Sequence, residues 1–202
     1  MRILFLQKTT DAQGGSKASL RNTLKALSEL PELEVELCGE APGALSDFAS
    51  ELSIPFKVAP FPRWRNLRDR LQFASTMKRF SKSLGEVDWI ISNEMWWAPH
   101  AVALAGYCGA RSAAIVRDEI ADLKKAQQYR FNQLDQVITV SEDLRAQFQD
   151  ASDLYTRTQT IYNIVERPLV NDATSATLKS LCSGYPKVKR WVLSAGTICP
   201  RK

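Results

Sequence analysis

Three short stretches of this 202-residue chain carry side chains able to bind or move charge. Asp11-Ala12-Gln13-Gly14-Gly15-Ser16-Lys17 sets two glycines directly ahead of a helical pattern. Glycines let the backbone approach a ligand closely, and the free amides of a helix start favour an anion such as phosphate; a flexible turn is the competing reading. The dinucleotide fingerprint Gly-x-Gly-x-x-Gly is absent, which argues against an NAD-dependent oxidoreductase, and no glycine stands five residues before a Gly-Lys-Ser/Thr as in a P-loop. Arg117-Asp118-Glu119 offers a guanidinium for a phosphate or carboxylate and carboxylates for sugar hydroxyls, unless Arg117 and Asp118 merely pair at the surface. Glu94 and Ser141-Glu142 follow apolar runs, and Ser141 also suits a helix cap. His100, the only histidine, lies in a helical pattern beside Pro99 and reads as structural or exposed rather than catalytic.

The elements that must position these residues are apolar runs alternating with amphipathic patterns. Ile3–Leu6, Val35–Cys38, Pro55–Val58, Trp89–Ile91, Ala113–Val116 and Val137–Val140 read as buried strands. Helices are predicted through Leu20, Leu24, Leu27 and Leu30 up to Pro31, and over Asn66–Leu84 with an apolar face of Leu67, Leu71, Ala74, Met77, Phe80 and Leu84. Others follow from Pro99 to about Tyr107, over the polar stretch Asp122–Asn132, and from Ser141 through Leu144 and Phe148. Apolar strands each followed by a helix imply an α/β fold, a Rossmann-like doubly wound parallel sheet. Ligands in such sheets bind beyond the carboxyl ends of the strands, where the Gly14-Gly15 loop, Glu94, Arg117 and Ser141 all fall. A short helix near Leu178–Leu181 and a last strand, Trp191–Ala195, are predicted further on. That strand has no helix after it, as expected if a second βα domain were cut short.

Composition narrows the classes. With 45% apolar and 24% charged residues the chain is not disordered, and at this length roughly 70% of the unfolded surface is buried without disulfides or metal clusters. Cys38, Cys108, Cys182 and Cys199 form no Cys-x-x-Cys pair, so neither a disulfide framework nor a zinc site is indicated and a reducing cytosol is expected. No apolar run approaches the roughly 18 residues of a membrane span. The net charge of +5 is concentrated: from Lys57 to Lys82 eight basic residues face one acid, Asp69, leaving the rest of the chain slightly acidic. Arg63, Trp64, Arg65, Arg68 and Arg70 suit an anionic membrane surface; nucleic acid, with Trp64 stacking on a base, is disfavoured, and a solvated helix face is the remaining reading.

The order of these motifs resembles the N-terminal half of a glycosyltransferase of the GT-B fold, family 4, over essentially the whole chain. The likeness rests on Met1-Arg2-Ile3-Leu4-Phe5 followed by Gly14-Gly15-Ser16, on Val137-Ile138-Thr139-Val140-Ser141-Glu142, on Ile161-Tyr162-Asn163-Ile164-Val165-Glu166, and on Ser194-Ala195-Gly196 leading to Pro200-Arg201-Lys202. The resemblance implies that residues 1–170 form the acceptor-side domain and 171–189 a connecting segment, with 190–202 the truncated start of a donor-binding domain. It implies a retaining transferase that moves a sugar from a nucleotide-sugar donor to a sugar or lipid-linked acceptor. No cofactor and no metal are implied, and cell-envelope or surface polysaccharide synthesis at the cytoplasmic face of the membrane is the expected setting.

Position by position, Gly14, Gly15 and Ser16 match the glycine loop at the interdomain cleft, and Arg201 and Lys202 match a basic pair that binds donor phosphates. Arg117 and Asp118 fall where many members have a histidine near the reacting sugar, which removes any claim to a catalytic histidine here. Thr197 stands where an Arg often follows the Gly, and Ile164 replaces the Gly of Asn-Gly-Val. Glu94 and Ser141 complete the expected ligand contacts. The alternative class is a non-enzymatic α/β module that binds a nucleotide or a protein.

Overall fold

The apolar run at the N-terminus becomes the central strand of a parallel sheet. In the computed structural model, which describes residues 1–11, 14–64, 66–120, 123–163 and 180, β1 (Arg2–Leu6) pairs with β2 (Glu34–Gly39), which pairs with β3 (Phe56–Val58). On its other side β1 pairs with β4 (Trp89–Ser92), followed by β5 (Arg111–Val116), β6 (Gln136–Thr139) and β7 (Thr158–Thr160). All seven strands are parallel, in the order β3-β2-β1-β4-β5-β6-β7, so the expected doubly wound sheet is present. The direction of winding reverses between β1 and β4, which fixes the switch point there.

Alternate residues of β1 serve opposite faces. Ile3 and Phe5 pack with Leu20 and Leu24 of α1 (Gly15–Ser28) and with Leu45 and Ala49 of α2 (Ala44–Glu51). Leu4 and Leu6 pack with Phe73 and Met77 of α3 (Leu67–Ser81) and with Ala101 and Leu104 of α4 (Ala98–Cys108). Leu20 and Leu24 are fully buried, each contributing about 2 kcal/mol. A third cluster joins Val116 and Val137 to Ala126 of α5 (Leu123–Gln128), to Phe148 beyond α6 (Glu142–Ala146) and to Leu154 of α7 (Ser152–Thr156). Pro99 sits in the first turn of α4, and Gly109, at φ 71°, closes that helix in the left-handed region glycine favours.

The structure corrects several expectations. The inward face of α3 is Phe73, Met77 and Phe80, while Leu71 is 80% exposed and Ala74 is exposed as well. Phe73 is two positions from Leu71, about 200° round the helix, so burying the larger ring turns Leu71 outward. Leu30 lies past the end of α1 and is exposed. Helices α2 and α7 and strand β7 were not anticipated. Strand β7, Thr158-Gln159-Thr160, is polar, carries no apolar run, and among the described residues pairs only with β6.

Met1–Val165 forms one compact unit and Glu166–Lys202 a second. The expected junctions at 170/171 and 189/190, the helix near Leu178–Leu181 apart from Ser180, the strand Trp191–Ala195, and Arg201 with Lys202 lie outside the described residues.

Candidate functional site at the switch point

Three strand ends and one helix start converge at the reversal point. Gln7 follows β1, Asn93 and Glu94 follow β4, and Arg117 and Asp118 follow β5. Each is among the first polar residues after an apolar strand, so the sheet itself delivers them to one place. Gln7 and Asn93 are fully buried. The Asn93 amide donates to Gln7 Oε1 at 2.6 Å and to the Ser16 carbonyl at 3.2 Å, fastening the start of α1 to β4. Arg117 Nη2 donates to Asn93 Oδ1 at 2.7 Å.

Glu94 is held from three sides. Its Oε1 accepts from Ser16 Oγ at 3.0 Å and from Gln7 Nε2 at 3.2 Å, and its Oε2 accepts from the Trp97 indole at 3.3 Å. The carboxylate is therefore fixed in orientation before any ligand arrives. Arg117 is less completely satisfied: its Nε and Nη1 are buried and meet no partner among the described residues. Burial pulls its pKa below the usual arginine value, opposed by the charges of Glu94 and Asp118. A buried guanidinium with open donors stabilises an anion brought to it, since leaving such groups unpaired is costly.

The start of α1 supplies the second anion-binding element. Gly14, at φ 109°, holds a backbone conformation that side chains rarely adopt, and no side chain caps the helix. A Cβ at Gly15 would meet nothing within 4 Å, so the space in front of the first turn is open. Lys17 is ion-paired with Asp11. Between this turn and Arg117 lies a pocket of about 100 Å³ lined by Ser16, Asn93, Glu94, Trp96, Arg117 and Asp118 among others. The structure thus gathers the predicted Ser16, Glu94, Arg117 and Asp118 and sets Gly14 and Gly15 beside them. Gln7 and Asn93 were missed by sequence reasoning, although their place immediately after β1 and β4 marks them as Arg117 is marked after β5.

The other predicted residues lie elsewhere. Ser141 caps α6, its Oγ accepting from the Leu144 amide at 3.3 Å, and does not line this pocket. His100 is buried in a cage of Phe61, Phe73 and Trp97, with Nε2 donating to the Pro62 carbonyl at 3.0 Å; burial pushes its pKa down to about 3 and keeps it neutral. In the basic segment, Lys57 bonds the buried Glu36 at 2.7 Å. Trp64 donates its indole proton to the Gln128 carbonyl at 2.8 Å, with Arg70 and Arg130 over its ring and Phe73 against it. Arg63, Arg68, Lys78, Arg79 and Lys82 are exposed, and Arg65 lies outside the described residues. No helix among the described residues is long and apolar enough to cross a membrane, and none of their His, Cys, Asp and Glu side chains form a group that could hold a metal ion.

Comparison with known protein families and with curated protein sequences gives no match. Among solved structures, Anabaena HepE in complex with UDP and glucose matches 90% of this chain at TM-score 0.67 and 19% identity, using 50% of its own length. The lipopolysaccharide outer core galactosyltransferase WaaB matches 84% at 0.61 and 15% identity, with 48% of its length. A glycosyltransferase from Rickettsia africae matches 92% at 0.57 and 13% identity, with 49% of its length. The chain therefore has the fold found in GT-B glycosyltransferases, and it spans about half the length of these relatives.

Proposed function

We propose that the chain is the acceptor-side half of a GT-B glycosyltransferase of the family 4 type, moving a sugar from a nucleotide-sugar donor to an acceptor hydroxyl with retention. One observation carries the reading: Ser16, in the first turn of the uncapped α1, and Arg117, with two buried donors that meet no partner among the described residues, line one pocket at the sheet's switch point. The fold shared with a protein that binds UDP and glucose supports it.

Transfer breaks the bond between the donor's anomeric carbon and its diphosphate, and negative charge grows on the departing oxygen. Backbone amides at Gly15 and Ser16 and the Arg117 guanidinium are suited to stabilise that charge, so the reading assigns no cofactor and no metal. Asp118 and Glu94 are acceptors for sugar hydroxyls at the same pocket. The greater part of donor binding, Arg201 and Lys202 included, falls to a second domain beginning near residue 190. A thermal-shift screen of the enzyme with both domains against several nucleoside diphosphates and their sugars tests this. Stabilisation by one nucleotide family is expected, and no response to any would overturn the reading. Sugar transfer by residues 1–202 alone would refute the division of labour.

The setting in cell-envelope or surface polysaccharide synthesis, at the cytoplasmic face of the membrane, belongs to the same proposal. The outward face of α3, with exposed Leu71 among Arg68, Lys78 and Arg79, is the surface that would meet anionic lipid, and the exposed Arg63 precedes that helix in the chain. Each cation near the lipid contributes about 1 kcal/mol. Vesicles with anionic headgroups are expected to retain the chain at low salt, and unchanged retention after replacing Arg63, Arg65, Arg68 and Arg70 would remove the membrane role.

A further inference from the structure

Two buried amides stand between the charges of the switch-point pocket. Gln7 and Asn93 directly follow Leu6 of β1 and Ser92 of β4, which are partners in the sheet, and both amides are fully buried. Their backbones are held by the strands, Gln7 donating to the Cys38 carbonyl at 2.9 Å and Asn93 to the Leu6 carbonyl at 3.0 Å. Arg117 can only donate and the Ser16 carbonyl can only accept, so the Asn93 amide fits in one orientation: Oδ1 toward Arg117 Nη2, Nδ2 toward the Ser16 carbonyl and Gln7 Oε1. Gln7 is set in turn, its Nε2 donating to two acceptors, the Thr9 carbonyl at 3.2 Å and Glu94 Oε1 at 3.2 Å.

The result is a chain of hydrogen bonds running in one direction from guanidinium to carboxylate, through Arg117, Asn93, Gln7 and Glu94. Aligned polar chains of this kind strengthen one another when buried. Arg117 and Glu94 line the same pocket and yet form no ion pair with each other. The charge of Glu94 still reaches the guanidinium, opposing the fall in its pKa. Glu36, on the same sheet, shows the other outcome: with no amide interposed it closes on Arg2 at 2.9 Å and Lys57 at 2.7 Å. A similar pairing of Arg117 with Glu94 would leave neither charge for a ligand.

We propose that Gln7 and Asn93 are positioning residues, a neutral spacer that keeps Arg117 and Glu94 apart and fixed in direction, so that one pocket presents a cation and a carboxylate at once. A ligand suited to it carries both an anionic group and hydroxyls. The effect on nucleotide affinity rests on the transferase reading; the hold on Arg117 does not.

The test reads the Arg117 side chain and UDP affinity together, in ¹H–¹⁵N spectra of the 202-residue chain. In the unsubstituted protein the Arg117 Nε–H is expected to exchange slowly with solvent and its Nη groups to give separate signals, because rotation is blocked. Freely averaged signals there would overturn the proposal. Asn93→Ala is expected to average those signals and to weaken UDP binding about ten-fold. On an Arg117→Ala background the same change should alter UDP affinity less than about two-fold, since Asn93 acts through the guanidinium and Ser16 keeps its own bond to Glu94. Equal loss in both backgrounds, the mark of a merely structural role, would contradict it. Gln7→Met fills the same space and leaves the Asn93–Arg117 bond in place, so it serves if Asn93→Ala does not fold. It is expected to broaden the Arg117 Nη signals and to weaken UDP binding about three-fold; unchanged Arg117 signals would again overturn the proposal. If Arg117→Ala leaves UDP affinity unmoved while Asn93→Ala or Gln7→Met frees the Arg117 signals, the transferase reading fails and the spacer stands.

Discussion

Glu36 and Arg117 are both charged groups drawn into the sheet, and they are treated in opposite ways. The Glu36 side chain is 4% exposed and is met by two cations, Arg2 at 2.9 Å and Lys57 at 2.7 Å. Arg117 is held by one neutral amide and keeps two buried donors without a partner among the described residues. A charge compensated from within holds the fold and has little to offer a ligand. A charge fixed in direction by Asn93, and left with open donors beside an uncapped helix start, is suited to a visiting anion.

If that contrast is right, stability and binding separate on mutation. Glu36→Ala is expected to cost about 3 kcal/mol in denaturant unfolding, because Arg2 and Lys57 lose their shared partner, while UDP-induced shifts at Gly14–Ser16 stay in place. A change in those shifts would mean that the two clusters are not independent.

His100 sharpens the comparison from a third direction, being buried but caged by rings and turned away from any role in charge binding. Its folded pKa of about 3 lies below the ordinary histidine value, so the unfolded chain binds the extra proton first. Its contribution to stability is complete above about pH 6.5 and is lost as pH falls toward 3, by on the order of 3 kcal/mol between pH 6.5 and 4. His100→Phe should flatten that part of the pH–stability curve, read by thermal unfolding.

Arg117→Ala should leave unfolding nearly unchanged and weaken nucleotide binding by about 2 kcal/mol, or roughly 30-fold, measured by titration calorimetry. The smallest effect belongs to Gly15→Ala. Its Cβ has open space, so stability holds or rises by up to about 1 kcal/mol, while nucleotide affinity falls a few-fold because the methyl group stands where the anion approaches. Unchanged affinity would place the anion away from α1.

The sheet was legible because its strands are apolar runs, and the switch-point residues because they follow those runs. Glu94, Arg117 and the glycine loop could be picked out on that ground alone. Gln7 and Asn93 were not, since a buried amide looks like any polar loop residue until its partners are in place. The roles of Lys57 and Trp64 depend on Glu36 and Arg130, each far away in sequence, so a local charge count could not separate structural cations from exposed ones. On α3, Leu71 and Phe73 give two plausible apolar faces, and only packing against α4 and the sheet decides between them.

The most direct measurement is a ¹H–¹⁵N titration of the 202-residue chain with UDP at millimolar concentration. Within residues 1–163 the account predicts shifts at Gly14, Gly15, Ser16, Asn93 and Arg117, with Arg2, Glu36 and Lys57 silent. Shifts centred on the Glu36 cluster, or none at the start of α1, would contradict it.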